Sequence, residues 1–134
     1  MNTTKQTIAS AIVWNKYIDC ILVKPNPDKD IYQLPKLKLK IGADPIKELK
    51  YELETEHKIK TRFIKTLPDS WAKLLHLHTK VKKVFYICYL FQVIEEVENK
   101  NNYNWLPVDK PDIIKLENED KEAVEFFVDL FKLA

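Results

Sequence analysis

Hydrophobic positions in the first part of the chain come in short extended runs. Thr7–Trp14 is apolar and β-branched, and Cys20–Val23 resumes that character after Asn15-Lys16-Tyr17, which predicts a hairpin. Lys24–Asp30 holds two prolines with Asn26, Asp28 and Asp30, and reads as a loop. Ile31–Leu34 is a brief extended piece ending before Pro35, since residues preceding proline favour extended geometry. Lys36–Ile41 alternates lysine with an aliphatic residue, so an extended backbone sets Lys36, Lys38 and Lys40 on one side. At Asp44-Pro45 the pattern changes to helical: Asp caps, Pro suits the first helical position, and Ile46, Leu49 and Leu53 form a buried stripe up to about Lys58. Leu74–Val81 and Val84–Ile94 read as two strands with their turn near Val81-Lys82-Lys83. Glu95–Asn104 is a polar loop, and Trp105–Val108 is extended. From Asn118 to Lys132, Ala123, Phe127, Leu130 and Phe131 recur at helical spacing. Three strands, a helix, several strands and a helix predict an α+β fold, a mixed β-sheet sandwiched between helices.

Composition narrows the picture. The 134 residues are 46% hydrophobic and 31% charged, which suits one domain over 1–134 with its own core. No apolar run is long enough for a spanning helix, so no membrane partner is expected. Cys20 and Cys88 both sit in apolar stretches and read as free thiols of a reducing, cytoplasmic compartment. Gly42 is the only glycine, where an average composition would give about nine. Turns that need a positive φ therefore have almost no unstrained residue to use, and a glycine-rich phosphate cradle is excluded. Charge divides along the chain. Residues 1–94 carry 17 basic and 9 acidic side chains, and 95–134 carry 5 and 11. A basic face that could attract phosphates, or simply two solvated faces, accounts equally well for that division.

The candidate chemistry lies on the first helix. Glu48, Glu52 and Glu56 are four apart and stack on one face. Such a row could hold Mg²⁺, which takes oxygen ligands and shares its coordination with substrate phosphates, although Glu-rich solvent faces are common. Leu34-Pro35, Lys38, Gly42, Asp44-Pro45-Ile46, Leu49-Lys50, Glu52-Leu53, Glu56 and Ile59 together resemble the signature of the Nudix hydrolase superfamily, the MutT-like proteins. That family's segment, roughly L-P-G-G-K-V-E-P-G-E-D-P-I-E-A-L-K-R-E-L-E-E-E-L-G-I, aligns with Leu34–Ile59 without a gap. Ala9–Val23 resembles its opening hairpin, Trp105-Leu106-Pro107 its W-x-P strand, and Asn118–Phe127 its closing helix.

The resemblance implies a Nudix fold with a degenerate box over 37–59. Against G-x5-E-x7-R-E-U-x-E-E-x-G-U, the fixed positions read Leu37, Ala43, Tyr51, Glu52, Thr55, Glu56 and Lys58, of which only Glu52 and Glu56 match. Thr55 replaces a carboxylate with a poor ligand for a hard dication. Tyr51 replaces an arginine that clamps the glutamates. Leu37 and Lys36 replace glycines of a tight turn, which implies another loop path. Losing one ligand and its support corresponds to roughly 10²–10⁴-fold slower hydrolysis.

The resemblance therefore implies Glu52 and Glu56 as catalytic residues, with Glu48 as a third metal ligand for Mg²⁺ or Mn²⁺ if the site is active. Glu95, Glu96 or Glu98 could add a late acid, and Lys36, Lys38 and Lys40 are candidate phosphate-binding residues. His76 and His78 alternate on a predicted strand, but with no Cys or third His near in sequence a half-exposed sheet face accounts for them. His57 reads as a helix-end residue. Trp14, Tyr32, Trp71 and Tyr103 could stack on a base, and Lys80, Lys82 and Lys83 could meet phosphates. Three functions stay open. The first is a diverged protein binding a nucleoside diphosphate derivative or other phosphate-bearing ligand, with hydrolysis weak or lost. The second is an active Mg²⁺-dependent pyrophosphohydrolase. The third is a structural subunit of a ribonucleoprotein or protein assembly. Partners are accordingly a nucleotide, an RNA or a protein, with homodimerisation open.

Overall fold

The computed structural model describes residues 2–26, 30–67, 71–77, 80–95, 104–109 and 114–133. Among these described residues, eight strands and two helices follow in the order β1 (Asn2–Asn15), β2 (Cys20–Asn26), β3 (Ile31–Gln33), β4 (Lys36–Leu39), α1 (Pro45–Thr55), β5 (Thr61–Thr66), β6 (Trp71–Leu77), β7 (Lys80–Val93), β8 (Asn104–Pro107) and α2 (Asn118–Leu133). One mixed sheet holds all eight strands along the path β3-β2-β1-β7-β5, with β4 on β1, β6 on β7 and β8 on β2. Its spine is the parallel pair β1–β7, in register from Asn2 opposite Lys80 to Trp14 opposite Gln92.

Strand alternation divides the core into two layers. Ala9, Ala11 and Val13 of β1, Leu22 of β2 and Tyr89, Phe91 and Val93 of β7 form one cluster with Leu49 and Leu53 of α1 and with Ile59. Ile12, Ile21, Val23, Cys88 and Leu90 point the other way and meet Val124, Phe127 and Val128 of α2. The sheet thus lies between α1 and α2, as the hydrophobic pattern predicts.

Several boundaries differ from the sequence reading. The stretch Val81-Lys82-Lys83 lies inside β7, because long pairing with β1 and β6 carries the strand back to Lys80; the connection at 78–79 falls outside the described residues. Lys24 and Pro25 belong to β2, where they pair with Gln33 and Tyr32 of β3. The strand β5 went unpredicted. Every residue in it after Thr61 is exposed, so it carries no inward alternation to detect.

The helix α1 begins as predicted: Asp44 Oδ1 accepts the N–H groups of Ile46 at 3.0 Å and Lys47 at 3.4 Å, with Pro45 following. It ends at Thr55, three residues short of the expected Lys58. Ile59 N–H reaches back to Leu53 O at 3.0 Å, and this closure needs Lys58 at φ +58. Gly42 takes φ +82 in the turn closed by Ala43 N–H to Lys40 O at 3.0 Å. A Cβ there would meet nothing within 4 Å, so backbone freedom and not space is what the turn uses. Asp19 and Lys58 adopt positive φ without glycine's help, the consequence foreseen from the composition.

No helix among the described residues is long and apolar enough to cross a membrane.

Candidate active site

The segment that resembles a catalytic loop begins as a strand. Lys36–Leu39 forms β4 and pairs antiparallel with Thr7–Ser10 of β1, a regular ladder where the family's glycines would turn. Leu37 and Leu39 pack against the cluster that holds Leu49 and Leu53, on the α1 side of the sheet. Lys36 therefore faces α2. Its ammonium lies 2.8 and 2.7 Å from the two carboxylate oxygens of Asp120 and 3.5 Å from Glu117. Asp120 also accepts Leu34 N–H at 2.9 Å, tying the β3–β4 connection to the start of α2. Lys38 shares the face of Lys36 by alternation and is exposed, and Lys40 lies beyond the end of β4.

Glu48, Glu52 and Glu56 lie on the other side of the sheet, on α1 and its C-terminal cap. Glu48 and Glu56 are exposed and Glu52 is half-buried. The lysine pair of β4 and the carboxylate row, proposed from sequence as parts of one site, are thus separated by the sheet. A different lysine stands with the carboxylates. Leu22 belongs to the α1-side cluster, and a strand's period of two puts Lys24 on that same face. Burial raises the Glu52 carboxyl above its ordinary range, Lys24 opposes that shift and Glu56 adds to it. His57, buried just past α1, is held below the usual imidazole range by burial and then by Lys24, with Glu56 acting the other way. Lys24, Glu52, Glu56 and His57 therefore form one electrostatic group at the C-terminal end of α1. Sequence reasoning missed Lys24 because it assigned the residue to a loop. The available signal was that Lys24 continues the Leu22 parity of the preceding run.

The remaining box positions are accounted for locally. Thr55 Oγ1 donates to Tyr51 O at 2.8 Å, so its hydroxyl is turned back onto the helix. Tyr51, at the position of the family's arginine, is exposed. Glu95 pairs with Lys60 at 3.5 Å, both side chains largely in solvent; Glu96 and Glu98 lie outside the described residues.

Of the stacking candidates, Trp14 packs into the α2-side core with its ring 6.3 Å from Phe127, and Tyr32 joins the same cluster. Tyr103 and His78 lie outside the described residues. Trp71, His76, Lys80, Lys82 and Lys83 are placed only as strand positions of β6 and β7.

A divalent ion fits this donor set poorly. Among the described residues no group of three or more His, Cys, Asp or Glu side chains gathers as a metal cluster. The row offers three carboxylates, Glu48 and Glu56 exposed and Glu52 half-buried with Lys24 on the same sheet face, and the Thr55 hydroxyl is committed to the backbone. A hard dication prefers several anionic oxygens and is repelled by a neighbouring cation.

Neither a family model nor a curated protein matches the chain. Solved structures do. The solution structure of the E. coli ORF135 protein superposes with a TM-score of 0.66 at 14% identity, covering 96% of this chain and 91% of that one. The MutT protein of Bacillus halodurans superposes at 0.62 and 16% identity, covering 92% and 82%. A UDP-X diphosphatase superposes at 0.63 and 16% identity, covering 96% of this chain and 64% of that one. The fold is Nudix-like. At these identities the likeness concerns backbone architecture. The shared architecture is the mixed sheet between two helices.

Proposed function

We propose that the chain binds a nucleoside diphosphate derivative or another phosphate-bearing ligand, with pyrophosphate hydrolysis weak or lost. The observation that carries this reading is the state of α1: Glu52 and Glu56 are retained, Thr55 is bonded to Tyr51 O, and Lys24 stands on the face of the carboxylates. The Nudix-like fold and its likeness to a MutT protein and a UDP-X diphosphatase support the ligand class. Of the three candidate lysines, Lys36 is bonded to Asp120 and Lys38 shares its face of the sheet, away from α1, which leaves the exposed Lys40, beyond the end of β4, to attract phosphate. A lysine there acts as a mobile point charge and favours charge over precise geometry.

The test is a panel of nucleoside diphosphate derivatives with Mg²⁺ or Mn²⁺, read both by phosphate release and by calorimetric binding. The reading expects saturable binding with release near background. Robust turnover abolished by Glu56→Gln would instead establish an active hydrolase, and absence of both binding and turnover would leave a scaffold subunit. Restoration of turnover by Thr55→Glu would locate the lost activity in the missing carboxylate.

A further inference from the structure

We propose that Lys24 is a built-in countercharge, its ammonium standing toward Glu52 and Glu56 in place of a divalent cation and weakening the pair's hold on such ions. The inference rests on the proposed function insofar as α1 is taken as the relic of a metal site, and it makes a separate claim about that site. Its basis is positional. Lys24 pairs with Gln33, so the β2–β3 ladder fixes its backbone, and it shares the sheet face of Leu22, which packs with Leu49, Leu53 and Ile59. That face is the one α1 covers. The end of α1 is fixed in turn by Ile59 N–H to Leu53 O, which brings buried His57 and half-buried Glu52 against the sheet. Strand parity thus sets Lys24 and the carboxylates of α1 on the same side of the sheet. With Lys24 counted, two carboxylates present one net negative charge, too little to offset the dehydration of a hard dication.

The measurement is Mn²⁺ affinity of the intact chain, followed by electron paramagnetic resonance, without nucleotide. Wild type is compared with Lys24→Met, which keeps the aliphatic stem, and with Lys24→Arg, which keeps the charge. Lys24→Gln is carried alongside, so that a folding defect in one neutral variant does not remove the comparison. Circular dichroism confirms the fold of each. Taking a unit charge away from the neighbourhood of a dication should tighten Mn²⁺ binding about tenfold in both neutral variants, with Lys24→Arg like wild type. Adding Glu52→Gln to Lys24→Met should abolish the gain. Unchanged or weaker Mn²⁺ binding in the neutral variants overturns the proposal, as does a gain that survives Glu52→Gln. The two failures separate cleanly. Loss of nucleotide binding defeats the proposed function while the Mn²⁺ response stands, and an absent Mn²⁺ response defeats the countercharge while nucleotide binding stands.

Discussion

Lys58 and Asp120 carry a conformation and a charge that their chemistry does not favour. Lys58 holds φ +58 so that Ile59 can bond back to Leu53, and the left-handed region costs a non-glycine residue about 1 kcal/mol or more. Lys58→Gly should therefore raise stability by about 1 kcal/mol, seen as a rise of about 3–5 °C in Tm by calorimetry. Asp120 is only 2% exposed, and burial holds its carboxyl above the ordinary value of 3.8 although Lys36 and the Leu34 N–H oppose the shift. A carboxyl raised in the folded state binds its proton more tightly there than in the unfolded chain. The stability it contributes is full below 3.8 and is lost as pH rises through the higher folded value. Asp120→Asn keeps an acceptor for Leu34 and cannot ionise, so its advantage over wild type should grow as pH rises from 3.8 through that window, read from urea unfolding at successive pH values. Asp120→Ala should instead cost about 2–3 kcal/mol, because it leaves the buried Leu34 N–H without its acceptor. At this scale the sequence was readable where chemistry is local. Asp44 with Pro45 announced the helix start unaided. Lys24 and Lys36 were not readable, because the partner of each arrives from a distant part of the chain.

Elements were legible in proportion to their asymmetry. The stripe Leu49 and Leu53 revealed α1, and both side chains are 1% exposed in the cluster beneath it. Leu53→Ala should destabilise the chain by about 3 kcal/mol through lost burial and the cavity left behind, measurable by chemical denaturation with an unchanged m-value. The same measurement on Lys50→Ala, an exposed position of that helix, should move stability by less than about 0.5 kcal/mol. The edge strand β5 shows the converse. Its Phe63 and Ile64 are partly exposed, so nothing in Thr61–Thr66 alternates, and only its ladder with β7 makes it a strand. The end of α1 was overrun for a related reason: the apolar spacing continues to Ile59, but the chain uses Ile59 to close the helix and not to extend it. The carboxylate row survived as a set of positions, since helical spacing fixes it. Its companion lysines did not, because strand parity sends Lys36 and Lys38 to the far face of the sheet.

At the scale of the molecule, the layering of sheet and α2 encloses the Cys88 thiol, and Cys20 is buried where β2 starts. Burial pushes Cys88 up to about 12, and Cys20 is raised by burial and then by Asp19 and Asp109. Neither is a ready thiolate at neutral pH. A chromogenic thiol reagent should therefore register no fast-reacting cysteine in the native protein and two after unfolding.

The parallel pairing of β1 with β7 also governs how the chain can acquire its shape. Each pair in that ladder joins residues 78 apart, from Asn2 with Lys80 to Trp14 with Gln92. On a ribosome adding ~5–20 residues per second, the first strand waits roughly 4–16 s for its neighbour to be made. Until then Ala9, Ala11 and Val13 have β2, β4 and α1 to lean on but no β7, and one long ladder edge stays open to other chains. Assembly of this protein is thus paced by the arrival of its middle, and the nascent first third is where a chaperone would be needed most.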